Sequence, residues 1–464
     1  MAHPASVPSR RLHAFVGWGL ALLVLFAFVA SLKPGAARGG SDGATAALDA
    51  AKLHQPAQLE GRLTAWSWNI AAKSLKSITP AFRQRYPRIQ VDVEMAGQTS
   101  QTRFLLSLSA ETGAPDVMQL QAYEAPRFIA TGRMTDLTAV GAKYAKDFPA
   151  ASWANCVHEG RVYAIPWDVG PCAVFYKPAI FAKYNVDPAA IQTWEDFVVA
   201  GKRILEASGG RTKMLPVSPA ELQYPYEMML QQLGGQVFDE QGRITIARDE
   251  SRRVLDLLRR MLDAGICANV PAWGHDWMAG MSSDTIATYP NAVWLGGTIK
   301  DTVGAYGDRG SGWAVFPLPA FERGQRRASN MGGSVLVIPD QCAQKEAAWA
   351  FIEYALCTRE GQIAQYAKYD LFPAYLPALD DPLFRQADPF FGNADVRALF
   401  ASRVRDVPVL NRTNDWVETI GYATQNFSRW ADEREETGPM LQTLAGKLSR
   451  RLGRPVAPAA EGAQ

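Results

Sequence analysis

The sequence lacks a surplus of charge of either sign, with 48 Lys and Arg residues against 46 Asp and Glu residues. Proteins that bind nucleic acid usually concentrate basic charge on one face, so this balance argues against that class of partner. Histidine is scarce, at five residues, and the five cysteines include no C-x-x-C pair. We therefore expect neither a metal site nor a cofactor.

The odd number of cysteines leaves at least one of them unpaired within the chain. An oxidising compartment would allow two disulfide pairings, Cys156 with Cys172 and Cys342 with Cys357, and the sequence does not decide whether they form. The alternative is that most of these residues are small, buried apolar side chains. The sequence also contains no G-x-S-x-G, H-E-x-x-H, Walker or G-x-G-x-x-G motif, and therefore gives no motif evidence for an enzyme of those classes.

Long hydrophobic runs are absent except near the N-terminus, where Leu12 to Leu32 contains no charged residue. The run is long enough for one membrane helix, and the preceding Arg10 and Arg11 favour a cytoplasmic N-terminus. We predict a cytoplasmic segment at 1–11 and, at 12–32, either a transmembrane anchor or a cleaved signal peptide. Residues 33–58 are rich in Ala and Gly and predict a flexible linker. Both alternatives place the remainder outside the cytoplasm.

The remainder alternates short extended segments with segments of helical periodicity, which predicts βαβ units around a mostly parallel sheet. Val162 to Tyr176 contains two extended segments around a turn and predicts a crossing between two lobes. Thr193 and Asp196 have the spacing of a helix N-cap and its third residue. The clearest predicted elements are the strands Arg62–Trp68, Ile89–Glu94 and Asp116–Leu120 and the helices Leu75–Tyr86, Phe104–Ala110 and Glu250–Ala264.

Several motifs occur in an order that is known from one protein family. They are Ala114–Val117, Gly132–Leu137, Tyr163–Pro166, Phe175–Pro178, Thr193–Phe197, Leu233–Gly235, Phe316–Pro319, Gly332–Ser334 and Ala347–Ile352. From about Arg62 to Leu448 the chain resembles the extracellular solute-binding proteins typified by maltose-binding protein. The segment Ser282–Thr288 departs from the family's usual Gly-Lys motif, and the lipobox cysteine found in part of the family is missing.

The resemblance implies an α/β, two-lobed periplasmic-binding-protein fold of type II, in which a cleft between the lobes closes around ligand. The expected lobes are 59–168 with 309–340 and 169–308 with 341–455. It further implies a monomer, held outside the cytoplasm, that captures a sugar and delivers it to the permease subunits of an ABC importer. Three alternatives remain: a ligand-sensing subunit for a membrane receptor, a secreted carbohydrate-active enzyme with Asp168 and Glu227 as its carboxylates, or a different ligand class such as a polyamine, phosphate or metal. The scattered histidines argue against metal, and the lack of an Arg and Lys cluster argues against phosphate.

A sugar needs an aromatic surface for its C–H face and both donors and acceptors for its hydroxyls. Open α/β sheets bind ligands at the carboxyl ends of their strands, which directs attention to the residues that follow each predicted strand. Strand ends and the resemblance together predict these ligand-binding residues: Trp66, Trp68, Asn69, Gln121, Tyr123, Trp167, Asp168, Tyr224, Glu227, Asn291, Trp294, Gly332, Gly333 and Trp416. For Trp273 and Trp277, a role in the site and packing at the surface remain open.

Overall fold

The computed structural model describes Leu48 and residues 50–54, 56–97, 99–305, 312–392 and 394–458. The predicted segments 1–11 and 12–32, and 33–58 in large part, lie outside these residues. Among the residues that the structure describes, no helix is both long enough and apolar enough to cross a membrane.

The first sheet has five strands in the order β2-β1-β3-β12-β6. β1 pairs in parallel with β2 and β3, whereas β12 is antiparallel to both of its neighbours. Leu63 and Ala65 of β1 pack in one apolar cluster and Trp66 packs in another, so both faces of this strand are covered. The strands of this sheet are β1 (Gly61–Ser67), β2 (Ile89–Met95), β3 (Val117–Gln121), β6 (Ala164–Asp168) and β12 (Ser334–Val337).

The second sheet is antiparallel, with three strands in the order β10-β7-β11. β6 and β7 are consecutive in the chain but belong to different sheets, which confirms the predicted crossing within Val162 to Tyr176. The remaining strands form two short ladders, β4 with β5 and β8 with β9. Their bounds are β4 (Val157–His158), β5 (Arg161–Val162), β7 (Cys172–Tyr176), β8 (Leu215–Pro216), β9 (Cys267–Ala268), β10 (Thr288–Ala292) and β11 (Ala314–Pro317).

The helices cover both sheets, and one of them begins with the predicted cap. Thr193 Oγ1 accepts a hydrogen bond from the Asp196 amide at 3.1 Å, and Asp196 Oδ2 accepts one from the Thr193 amide at 2.9 Å. The helices are α1 (Asn69–Arg85), α2 (Ser100–Ser109), α3 (Ala125–Ile129), α4 (Thr138–Gly141), α5 (Ala150–Trp153), α6 (Pro178–Lys183), α7 (Trp194–Ala207), α8 (Gln223–Leu233), α9 (Asp249–Asp263), α10 (His275–Ser282), α11 (Leu295–Ala305), α12 (Lys345–Leu356), α13 (Arg359–Tyr369), α14 (Val396–Arg403), α15 (Trp416–Glu433) and α16 (Thr437–Leu452).

One apolar cluster joins the two sheets, with Leu336 of β12 and Phe175 of β7 among its members. One face of the first sheet packs against α2 and α3 through Phe104 and Phe128. The helices α12 and α13 pack against α1, and α12 also contacts β1 and β6. We therefore propose that 345–369 belongs with the first lobe, whereas the resemblance implies that 341–455 belongs to the second. In the second lobe the apolar faces of α7, α8, α9, α15 and α16 enclose a separate core.

All five cysteines are free, and four of them are buried. Burial raises the pKa of each thiol above its ordinary value. The structure thus agrees with the alternative that these residues act as small apolar side chains.

Candidate ligand-binding cleft

A cavity of about 490 Å³ opens between the end of β6 and the face of α8. Its size falls within the range of about 300–1,000 Å³ that is typical of small-molecule sites. The first sheet contributes Asp168 and Ser334, the second contributes Asn291, and α8 contributes Tyr224 and Glu227. Both lobes therefore supply groups to one cavity.

On the first-lobe side, a chain of hydrogen bonds crosses the sheet at the carboxyl ends of its parallel strands. Ser67 Oγ donates to Gln119 Oε1 at 2.6 Å, and Gln119 Nε2 donates to Ser334 Oγ at 3.1 Å. Ser334 in turn donates to Asp168 Oδ1 through both its amide, at 2.9 Å, and its hydroxyl. This side of the cavity is therefore internally bonded and fixes where β12 meets β6.

Burial raises the pKa of the Asp168 carboxyl, and the hydrogen bonds from Ser334 oppose that shift. Gly333, immediately before Ser334, has φ 98°, and a Cβ there would lie 2.8 Å from the Asp168 carbonyl oxygen. Only glycine fits this close approach of two backbones. Gly333 thus brings the strands together beside the cavity, while Gly332 lines it.

The second-lobe side carries a row of aromatic rings. Trp273 stacks on Trp294 with ring centroids 5.5 Å apart and planes at 22°, and lies 5.2 Å from Trp277. Trp294 is fixed by its Nε1–H, which donates to the Met331 carbonyl at 3.1 Å. Trp273 remains 54% exposed, with a backbone φ of 65° that is strained for a non-glycine residue. The row offers an exposed aromatic face to the cavity.

The charged groups on this side are Glu227 and Arg412. Glu227 Oε2 lies 3.9 Å from Arg412 Nη2, and the guanidinium lies over the ring of Trp416, 5.0 Å from its centroid. Burial raises the pKa of the Glu227 carboxyl to about 7, against the opposing effect of Arg412. A carboxyl and a guanidinium thus face the cavity side by side.

Two tyrosines complete the polar surface. Tyr123, just after β3, is 36% exposed, and Tyr224 of α8 is 45% exposed. Burial of the hydroxyl raises the pKa of Tyr123 to about 12, and nearby Glu124 and Glu227 add to the shift. Both hydroxyls therefore stay protonated at neutral pH and can donate hydrogen bonds.

The structure brings together eight of the predicted site residues around the cavity. They are Tyr123, Asp168, Tyr224, Glu227, Asn291, Trp294, Gly332 and Trp416. Trp416 is only 2% exposed, so its ring is largely covered from the cavity.

Six predicted residues do not line this cavity: Trp66, Trp68, Asn69, Gln121, Trp167 and Gly333. Trp66 is buried in the first-lobe core, where the Arg103 guanidinium lies 3.7 Å from its ring centroid. Trp167 is buried as well and donates through Nε1 to Gln365 Oε1 at 2.8 Å. The chain turns into α1 at Asn69, so Trp68 becomes the residue before that helix rather than the free end of a strand.

Sequence reasoning missed Arg412 and left Trp273 and Trp277 undecided. The structure places all three at the cavity. The polar segment around the two tryptophans was the only signal for them. Arg412 stands in a loop before α15 with no periodic pattern to mark its contact with Glu227.

Comparison with known proteins decides the family. Residues 65–359 match the family of bacterial extracellular solute-binding proteins. The chain belongs to that family. This solute-binding protein is similar to the arabinooligosaccharide-binding protein of Halalkalibacterium halodurans, with 26% identity over 62% of this chain and 64% of that protein. It is also similar to the lactose-binding protein of Rhizobium radiobacter, with 25% identity over 78% of this chain and 86% of that protein.

Among solved structures, this solute-binding protein matches the sugar-binding protein MalE from Xanthomonas citri with a TM-score of 0.73 and 19% identity. The match covers 85% of this chain and 98% of that one. It confirms the expected α/β, two-lobed fold. The alignment to the H. halodurans protein spans slightly less than two thirds of that protein's length.

Proposed function

We propose that this protein is the solute-binding subunit of an ABC importer, which captures a carbohydrate in the cleft and delivers it to permease subunits. The observation that carries the proposal is the pairing of an exposed aromatic face, Trp273 on Trp294, with the polar groups of Tyr224, Glu227 and Arg412 across one cavity. Aromatic rings pack on the C–H face of a sugar, and mixed donors and acceptors suit its hydroxyls.

The similar proteins support this ligand class, since two of them are named for arabinooligosaccharide and lactose binding. They and the family are binding proteins rather than enzymes. Ligand that bridges both lobes would close them about the β6–β7 crossing, because the closed state alone makes contacts from both sides. If residues 12–32 stay attached as an anchor, they would hold the lobes near the permease and raise their effective concentration there. N-terminal sequencing of the mature protein tests this: a start beyond residue 32 would contradict the anchor.

Thermal unfolding of the full chain, purified in a detergent without a sugar headgroup, tests the ligand class. The panel contains arabinooligosaccharides, lactose, maltose, glycerophosphodiesters, amino acids and polyamines. A ligand at about 100 times its Kd stabilises the folded state by about 2.7 kcal/mol, which gives a readable rise in Tm. We expect a rise with saccharides alone. A rise with amino acids or polyamines and none with saccharides would overturn the ligand class.

A further inference from the structure

Arg412 is a buried cation without a hydrogen-bond acceptor in the part of the chain that the structure describes. Its side chain is only 9% exposed, and its Nε is buried without a partner. Leaving a buried charged donor unsatisfied is costly, and a group retained in this state at the edge of a cavity is expected to bond to whatever the cavity holds. The ring of Trp416 beneath the guanidinium keeps it in place.

Glu227 is the nearest carboxylate, yet it does not satisfy Arg412. Their closest atoms are 3.9 Å apart, which is beyond hydrogen-bond distance. Among the described residues, no hydrogen bond reaches the Glu227 carboxylate either. The two groups attract each other through charge, both line the cavity, and no hydrogen bond among the described residues occupies either side chain.

A hydroxyl group both donates and accepts, so two neighbouring hydroxyls can bond to a guanidinium and a carboxylate at the same time. We propose that Glu227 and Arg412 form a subsite for a neutral vicinal diol of the ligand, with Arg412 donating to one hydroxyl and Glu227 accepting from its neighbour. This inference rests on the proposed function and narrows its ligand class to neutral saccharides. A ligand carboxylate would satisfy Arg412 but would lie against the charge of Glu227.

The pH dependence of binding separates these two ligand types. The groups that face Glu227 are Arg412, Tyr123, Tyr224 and Tyr226. Glu227 is the group of this set of neighbours that titrates near neutrality, because burial raises the pKa of its carboxyl to about 7. A ligand hydroxyl bonds best to the ionised carboxylate, so a neutral diol binds more tightly above that pH and releases a proton. An anionic ligand requires the protonated carboxyl and binds more tightly below it.

Isothermal titration of the full chain tests the subsite, with lactose, arabinotriose and maltose as neutral probes and digalacturonate as the anionic probe. The variants are Glu227→Gln, Arg412→Met and the double substitution. The matched control is Arg451→Met, which removes an exposed cation whose Nε lies 2.6 Å from Glu418 Oε1, in an ion pair outside the cleft. Thermal unfolding of each variant shows whether it is folded, and Glu227→Gln is the variant that changes shape least.

We expect a neutral probe to bind the wild-type chain and the control equally, and each cleft variant about 10- to 100-fold more weakly. The loss of binding free energy in the double variant should be smaller than the sum of the losses in the two single variants, because the two residues bond to adjacent hydroxyls. Wild-type affinity should rise between about pH 5.5 and about pH 8.5, and Glu227→Gln should remove that rise. A neutral probe that binds all variants equally overturns the subsite and leaves the proposed function intact. If digalacturonate binds more tightly at low pH than at high pH and more tightly than the neutral probes, the neutral diol is overturned and the proposed function stands. If no saccharide binds, the proposed function is overturned together with the subsite.

Discussion

Asp168 and Glu227 are two carboxylates on opposite sides of one cleft, and their surroundings differ. Burial raises the pKa of both. Asp168 accepts hydrogen bonds from the amide and hydroxyl of Ser334, which joins β12 to β6. Within the described part of the chain, the ion pair of Glu227 is the long contact with Arg412. The first carboxylate therefore joins two strands, while the second makes no hydrogen bond among the described residues.

From this difference we expect that lining the cavity is not enough to make a polar residue a ligand contact. A group whose hydrogen bonds are already made within the chain gains little from a ligand, whereas an unsatisfied group gains a full hydrogen bond. The same contrast separates the covered ring of Trp416 from the exposed ring of Trp273.

The largest effect is expected from Trp416→Ala. The ring is almost fully buried and supports Arg412, so its removal should lower the free energy of unfolding by about 3–5 kcal/mol. Denaturant unfolding of the wild type and the variant measures this. Unchanged stability with lost ligand affinity would instead make Trp416 an open stacking surface.

A smaller loss is expected from Asp168→Ala. The substitution leaves the Ser334 amide and hydroxyl without their acceptor, which should lower the free energy of unfolding by about 2–3 kcal/mol. Denaturant unfolding again provides the measurement, and Asp168→Asn, which keeps an acceptor oxygen, serves as the control. If both variants are as stable as the wild type, Asp168 does not hold the two strands together.

Glu227 should make stability depend on pH. Its pKa is raised from 4.5 to about 7 in the folded state, so the folded protein binds the extra proton between these values. Stability should therefore fall as pH rises through this window and level off above it, by about 1–3 kcal/mol. Glu227→Gln should remove this part of the pH dependence in urea unfolding at a series of pH values. Parallel curves for the variant and the wild type would contradict the assignment.

The smallest effect on stability is expected from Trp273→Ala. The ring is half exposed but stacks on Trp294 and contacts Trp277, so the free energy of unfolding should fall by about 1 kcal/mol. Affinity for a saccharide should fall about tenfold, because the exposed stacking face is lost. Titration calorimetry measures it, with Val199→Ala as the matched substitution of an exposed residue outside the cleft. Equal affinity in both variants would make Trp273 a surface residue without a ligand role.

The local elements of the fold could be predicted from sequence, because their signals lie within a few residues of one another. The Thr193–Asp196 cap and the crossing between β6 and β7 are examples. The site could be predicted only in part. Alternation correctly separates neighbours such as Trp167 and Asp168, but it does not say which of them enters the core. Contacts between distant segments, such as Arg103 on Trp66 or Arg412 beside Glu227, leave no local pattern at all.

The position of β12 has a consequence for how the chain reaches its native state. The strand lies between β3 and β6 in the sheet, yet in the sequence all three strands of the second sheet come between β6 and β12. The first sheet therefore cannot close on the ribosome until synthesis has passed Val337, and its central pairing is strongly non-local. Folds dominated by such contacts form slowly. Slow pairing of β12 would keep the polypeptide unfolded for longer. An unfolded chain can pass through a translocation channel, whereas a chain with both sheets completed cannot.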